Sequence, residues 1–329
     1  MSEMTISAPS RRPQLRRPEP APPETTTTVP REFVHRRAVA EVFLTGRAAR
    51  LDDKHFSLTG QWPRAHTLFT VEDGTLHHPL LAAETIRQAG LYLAHSEFGV
   101  PLGHAFLLHH LDFTVDREHC RIGSAPTDLT LEATADVHRR GSRRVRLRMS
   151  ITIRREDRTV ATGGGEFTCI PPETYRRMRG GRGTAGIGGL RERPPTVAPH
   201  LVGRLDPVNV VLAPTGRPEH WLLSPDPRNP VLFDHSTDHV PGMVLLEAAY
   251  QAAHGHFLSH RTGPTSTSAF FHRYVELDEP CTIEVGPATD PDGGSRGVEV
   301  TGRQGGDTVF TCVLTAPAAA TAPGRPAAA

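Results

Sequence analysis

The chain has 329 residues, 37% of them hydrophobic and 22% charged, with a formal net charge of +1. That is room for two ordinary domains or one large one. The charge balance excludes a global pull toward nucleic acid or an anionic membrane. Every basic residue but Lys54 is Arg, and Ala, Gly and Pro abound, which reads first as GC-rich coding bias and not as phosphate binding. Cys120, Cys169, Cys281 and Cys312 lie far apart with no CxxC pair, as expected of reduced thiols in a cytoplasmic protein, and they offer no zinc site. Arg11-Arg12 and Arg16-Arg17 suggest an export signal, but only Pro, Glu and Thr follow and no apolar region does. No run is long enough for a membrane helix.

In chain order, residues 1–32 are rich in Pro, Thr and Arg and are expected to be disordered. Residues 33–175 form a first ordered half, and 176–199, rich in Gly, Arg and Pro, a linker. Residues 200–315 form a second half, and 316–329 a disordered tail. Within each half the pattern predicts two strands, one long helix, then further strands. The first helix covers Leu80–Leu93, entered by Pro79 and unbroken until Gly90. In Arg144–Ile151 arginines alternate with apolar residues, the period of a half-buried antiparallel strand. The fold class is therefore α+β.

The halves resemble one another. Glu84 and Gln88 superimpose on Glu247 and Gln251 at an offset of 163, and His55 onward on His220 onward at 165. Ala40–Leu44 matches Val208–Leu212, and the segment from His104 matches that from Ser268. Four blocks in one order at nearly constant offset indicate an internal duplication.

On the first helix Glu84, Arg87, Gln88, Leu91 and His95 share one face, and on the second Glu247, Tyr250, Gln251 and His254 do so. The remaining circumference is apolar, so both helices are expected to be buried. A buried polar stripe must be paired or functional. One reading is a structural ion pair between Glu84 and Arg87. The other is a recessed acid/base group whose pKa is raised by burial and tuned by Arg87. His77-His78, His109-His110 and His235/His239 invite a metal reading, but HExxH and a third acidic ligand are missing. The arginines at 139, 140, 143, 144, 146 and 148 read as a solvated strand face, with an acidic carrier protein as the alternative partner.

Pro241–Gln251, PGMVLLEAAYQ, resembles the central helix of hotdog-fold acyl-thioester enzymes, especially the β-hydroxyacyl-carrier-protein dehydratases. Their catalytic Glu precedes a Gln by four residues, and their His lies in an upstream His-Phe-Pro-Gly stretch. Here the candidate is His235, two residues nearer to Pro-Gly, and His-Phe-Pro-Gly itself is missing. Over roughly 33–315 the chain is more similar to the tandem-hotdog γ-butyrolactone biosynthesis proteins of actinomycetes, the A-factor synthase type. Val34–Gly46, Gln61–His66, His77–Leu108 and Asp238–Ala253 carry that resemblance.

The resemblance implies a double hotdog, each long helix wrapped by an antiparallel sheet. It also implies transfer of a β-ketoacyl chain from acyl carrier protein to a hydroxyl of dihydroxyacetone phosphate, toward a γ-butyrolactone, butenolide or furan signal. No cofactor or metal is called for, and the fused halves are compatible with a monomer or a homodimer. Glu84 and Glu247 are the candidate bases. Amides near Leu80 and Gly242 are candidate oxyanion donors, and Arg87 the phosphate clamp. Gln88, His235, Tyr250 and Gln251 complete the binding set. Tyr250 stands where the first helix has Arg87, so the halves are unequal. The competing functions are a dehydratase or thioesterase, and a non-catalytic acyl-binding regulator.

Overall fold

The computed structural model describes residues 27–140, 144–180, 193–235, 237–258, 263–288 and 295–317, without the side chains of Arg47, Arg140, Leu258, Ser295, Arg296 and Pro317. The first half runs β1 (Leu44–Arg50), β2 (His55–Trp62), α1 (Pro79–Ser96), β3 (Ala105–Val115), β4 (Thr127–Arg140), β5 (Arg144–Arg155) and β6 (Arg158–Ile170). A short helix α2 (Pro172–Arg179) follows. The second half runs β7 (Leu212–Pro214), β8 (His220–Leu223), α3 (Gly242–Leu258), β9 (Ser266–Phe271), β10 (Cys281–Pro287), β11 (Ser295–Gln304) and β12 (Asp307–Pro317).

Among the described residues the strands join in one antiparallel sheet of order β1-β2-β4-β5-β6-β3-β9-β12-β11-β10-β8-β7. The order is a palindrome about the β3–β9 seam, where Leu111 faces Ala269 and Asp112 faces Ser268. Helix α1 packs on β1, β3, β5 and β6, α3 on β7, β10, β11 and β12, and the two helices touch.

Alternation makes the strands: in β5, Val145, Leu147, Met149, Ile151 and Ile153 are buried while Arg144, Arg146, Arg148 and Ser150 face outward. Arg146 and Arg148 both pair with Glu166 on β6, so this basic face is a solvated one with a carboxylate in it. Helix α1 starts where Pro79 supplies a preset φ and His78 Nδ1 accepts the Leu80 N–H at 3.2 Å. It is buried on nearly all sides, from Leu80 to His95. Gly163 on β6 makes this possible, because a Cβ there would meet Asp112 O at 2.4 Å and Ile86 Cδ1 at 2.9 Å.

Three boundaries differ from the expected ones. Residues 27–32, assigned to the disordered segment, are ordered: Val29 is buried and its N–H bonds Leu44 O. The 176–199 segment begins inside α2, and its far end is tied by the Arg193–Asp226 ion pair and the Val197 N–H to Leu212 O bond. At the C-terminal side β12 reaches Pro317. The expected linker residues 181–192, most of the N-terminal segment and the tail from 318 lie outside the described residues.

Candidate functional site

The Glu-x-x-x-Gln motif makes the same contacts twice. Gln88 donates to Glu84 Oε1 (2.7 Å) and Glu41 O (2.7 Å), and its Oε1 accepts the Phe43 N–H (2.9 Å). Gln251 donates to Glu247 Oε1 (2.6 Å) and Asn209 O (2.7 Å), and accepts the Val211 N–H (2.9 Å). Both offsets read from the sequence, 163 on the helices and 168 on the upstream blocks, are reproduced in these bonds.

Each glutamate is fully buried and held by an arginine the sequence reading did not single out. Arg36 donates from Nε (3.1 Å) and Nη2 (2.8 Å) to Glu84 Oε1, and its Nη1 crosses to Val231 O of the second half (2.8 Å). Arg204 donates from Nε to Glu247 Oε1 (2.6 Å) and from Nη2 to Oε2 (2.5 Å), and its Nη1 crosses to Leu68 O of the first half (3.1 Å). Both arginines follow a short 3-10 turn closed by a left-handed residue, His35 (φ 54°) or Gly203 (φ 67°). The sequence signal was there, as Val-His-Arg (34–36) and Val-Gly-Arg (202–204) stand at the same offset of 168.

These ion pairs correct the acid/base expectation. Burial by itself would raise the Glu84 pKa, but Arg36 and Arg87 outweigh it and bring it down to about 2. Arg87 donates from Nε to Glu84 Oε2 (2.8 Å) and from Nη2 to Oε1 (2.7 Å). Both Glu84 oxygens are therefore held by neighbouring side chains, and Arg87 is committed to it. Glu247 has both oxygens on Arg204. The Leu80 amide is likewise engaged, by His78.

Beyond the shared frame the halves diverge. On the Glu84 side, His95 Nδ1 donates to Val100 O (2.6 Å), so its Nε2 accepts from His35 Nε2 (2.9 Å). Burial, with Arg87 next, lowers the His35 pKa to about 3, and the pair stays neutral. His235 belongs here and not with the helix it precedes: Asp234 accepts the Arg37 N–H (2.6 Å) and Ala38 N–H (3.2 Å), and partial burial, with Arg87 next, lowers the His235 pKa. Gly242 sits elsewhere again, under Phe271 and Leu108.

On the Glu247 side there is a cavity of about 360 Å³. Its polar lining includes Arg204, Tyr250, Gln251, His78, His254 and Arg117, while Val71, Leu76, Val202 and Phe257 give apolar walls. Glu247 lies behind this lining. Tyr250 bonds Thr267 Oγ1 (2.8 Å) and lays its ring 5.0 Å from that of His78, across the two halves. Burial drives the Tyr250 pKa upward, so it is a neutral phenol.

His78 is informative because of its tautomer. Nδ1 accepts from Leu80, and burial with Arg204 nearby holds the ring neutral, so Nε2 carries the proton. That Nε2 stands 3.4 Å from Arg204 Nη2. Two donors thus converge, with no acceptor between them among the described residues. His254 is also kept below its ordinary pKa by burial and is neutral. Gly203 makes room for its ring, since a Cβ at 203 would lie 2.6 Å from His254 Nδ1. A neutral base, two convergent N–H donors and apolar walls are the parts that acyl transfer uses.

A family profile described as the A-factor biosynthesis hotdog domain matches residues 19–171 and again 188–319. The "2-oxo-3-(phosphooxy)propyl 3-oxoalkanoate synthase" of Streptomyces virginiae is 48% identical over 290 residues, covering 88% of this chain and 97% of that protein. The protein of the same name from Streptomyces griseus is 39% identical over 88% of this chain and 95% of its own length. Among solved structures, the 12:0-ACP thioesterase from Umbellularia californica aligns with a TM-score of 0.46 at 11% identity, over 82% of this chain and 100% of that chain.

Proposed function

The chain belongs to the A-factor biosynthesis hotdog family, and on that premise we propose that it transfers a 3-oxoacyl group from acyl carrier protein to the hydroxyl of dihydroxyacetone phosphate. The ester so formed is the product in the relatives' printed name, whose alcohol part is that phosphotriose. It is the precursor of a γ-butyrolactone, butenolide or furan signal. The two halves act as a double hotdog, and the reaction runs in the cytoplasm. Among the described residues no helix is long and apolar enough to cross a membrane.

The observation that carries the reading is the cavity beside Glu247, with its convergent donors and its neutral histidine. His254 takes the proton of the acceptor hydroxyl as that oxygen attacks the thioester carbonyl. The oxyanion of the tetrahedral intermediate is held by His78 Nε2–H and Arg204 Nη2–H. Collapse expels the carrier thiolate, which takes the proton back from the His254 imidazolium. Glu247 is a positioning residue: it fixes the guanidinium of Arg204, and Gln251 fixes Glu247. On the other side Glu84 holds Arg36 and Arg87 as a strut.

Incubation with a 3-oxoacyl carrier protein and dihydroxyacetone phosphate, followed by mass spectrometry, tests the reading. The phosphorylated ester is the expected product. Free 3-oxoacid alone would establish a thioesterase, and no turnover a binding protein.

A further inference from the structure

The acyl-transfer reading leaves the acceptor's phosphate without a partner, because the expected clamp, Arg87, spends Nε and Nη2 on Glu84. Arg204 is held by Glu247, and its remaining Nη2–H is the one assigned to the oxyanion. Arg117 differs. It lies on the loop after β3, lines the cavity, and its guanidinium has no ion pair or hydrogen bond among the described residues. Gly263 keeps it there without crowding, since a Cβ at 263 would approach Arg117 Nη1 to 3.0 Å. Glu72 and Asp73 stand on the same rim; neither forms an ion pair with Arg117 among the described residues, although the Arg117 charge is felt at Asp73. Asp73 is turned onto Thr75, bonding its N–H (2.9 Å) and hydroxyl (2.6 Å).

A half-buried guanidinium that faces a cavity and has no hydrogen bond or close ion pair among the described residues is a site for an external anion. We propose that Arg117 is the residue that recognises the phosphate of the acceptor, and so selects a phosphorylated triose over the free one. This rests on the acyl-transfer reading and divides the cavity in two. The carbonyl oxygen sits on the floor, between His78 and Arg204, and the phosphate at the rim, on Arg117. The acceptor's hydroxyl end is then left inside the cavity, on the side lined by His254.

The test compares wild type, Arg117→Ala, Arg117→Lys and Arg87→Ala, each first checked by circular dichroism to be fully folded at the assay temperature. Rates are measured with dihydroxyacetone phosphate and with dihydroxyacetone, and calorimetry measures binding of dihydroxyacetone phosphate with no acyl donor present. A charge-assisted contact is worth roughly 10- to 100-fold in KM. Arg117→Ala should show that rise with the phosphorylated acceptor only, with kcat/KM for dihydroxyacetone unchanged, and Arg117→Lys should recover part of the loss. Equal losses on both acceptors, or a loss confined to Arg87→Ala, overturn the assignment. If no ester forms with any acceptor, the acyl-transfer reading fails while the calorimetry still decides: weaker binding to Arg117→Ala supports the site, and equal binding removes it.

Discussion

The Glu84 and Glu247 helices share a frame and differ in what surrounds it. Both carboxylates are buried and locked by a glutamine four residues on and an arginine from an upstream turn. Around Glu84 the space is filled by a second arginine and the His35–His95 pair. Around Glu247 a tyrosine lies where that arginine would be, a glycine takes the place of His35, and a cavity opens. The conserved geometry is therefore the scaffold, and the chemistry is to be looked for where the halves disagree.

The largest expected effect strains the shared frame. Glu84→Gln removes the carboxylate partner of one buried and one part-buried guanidinium and Glu247→Gln that of one buried guanidinium, so each should cost about 3–5 kcal/mol in urea unfolding, the first variant more. Equal losses would show that Arg87 is not a load on Glu84. The pH dependence separates them further. A folded-state pKa near 2 against an ordinary 4.5 means that Glu84 contributes stability above about pH 4.5, which is lost as pH falls toward 2. Acid unfolding curves of wild type and Glu84→Gln should therefore approach each other across that window, and a constant gap would contradict the ion-pair account.

Next comes the divergent chemistry. His254→Gln should lower kcat by roughly 10²- to 10⁴-fold, while His35→Gln, on the filled side, should leave kcat nearly unchanged. Comparable losses in both would mean two working sites. The smallest effect belongs to Tyr250→Phe, which removes one buried hydrogen bond to Thr267 and should cost about 1 kcal/mol of stability.

The helices, the strand alternation and the duplication were legible because they rest on periodicity and on a repeated Glu-x-x-x-Gln. The arginines that hold the glutamates were not. Arg36 and Arg204 sit 48 and 43 residues from their partners and vanish in an Arg-rich background, and their offset of 168 differs from the 163 of the helices. His78 and His254 were visible as residues but not as neighbours, because one caps α1 and the other lies on α3, and only the packing of the halves brings them to one cavity. The raised pKa expected of Glu84 failed for a related reason: burial and the Glu84–Arg87 pairing were both legible, but the larger compensating charge, Arg36, came from elsewhere in the chain.

The reciprocal reach of Arg36 to Val231 and Arg204 to Leu68 has a consequence for how such a molecule can change over time. Were the halves identical subunits of a two-fold dimer, every substitution would appear at both places at once. A residue that helps one cleft would then be imposed on the other. Covalent fusion lifts that restriction while the crossed arginines keep each half dependent on its partner's backbone. One cleft is free to become solid and bear the structure, and the other to stay hollow and specialise.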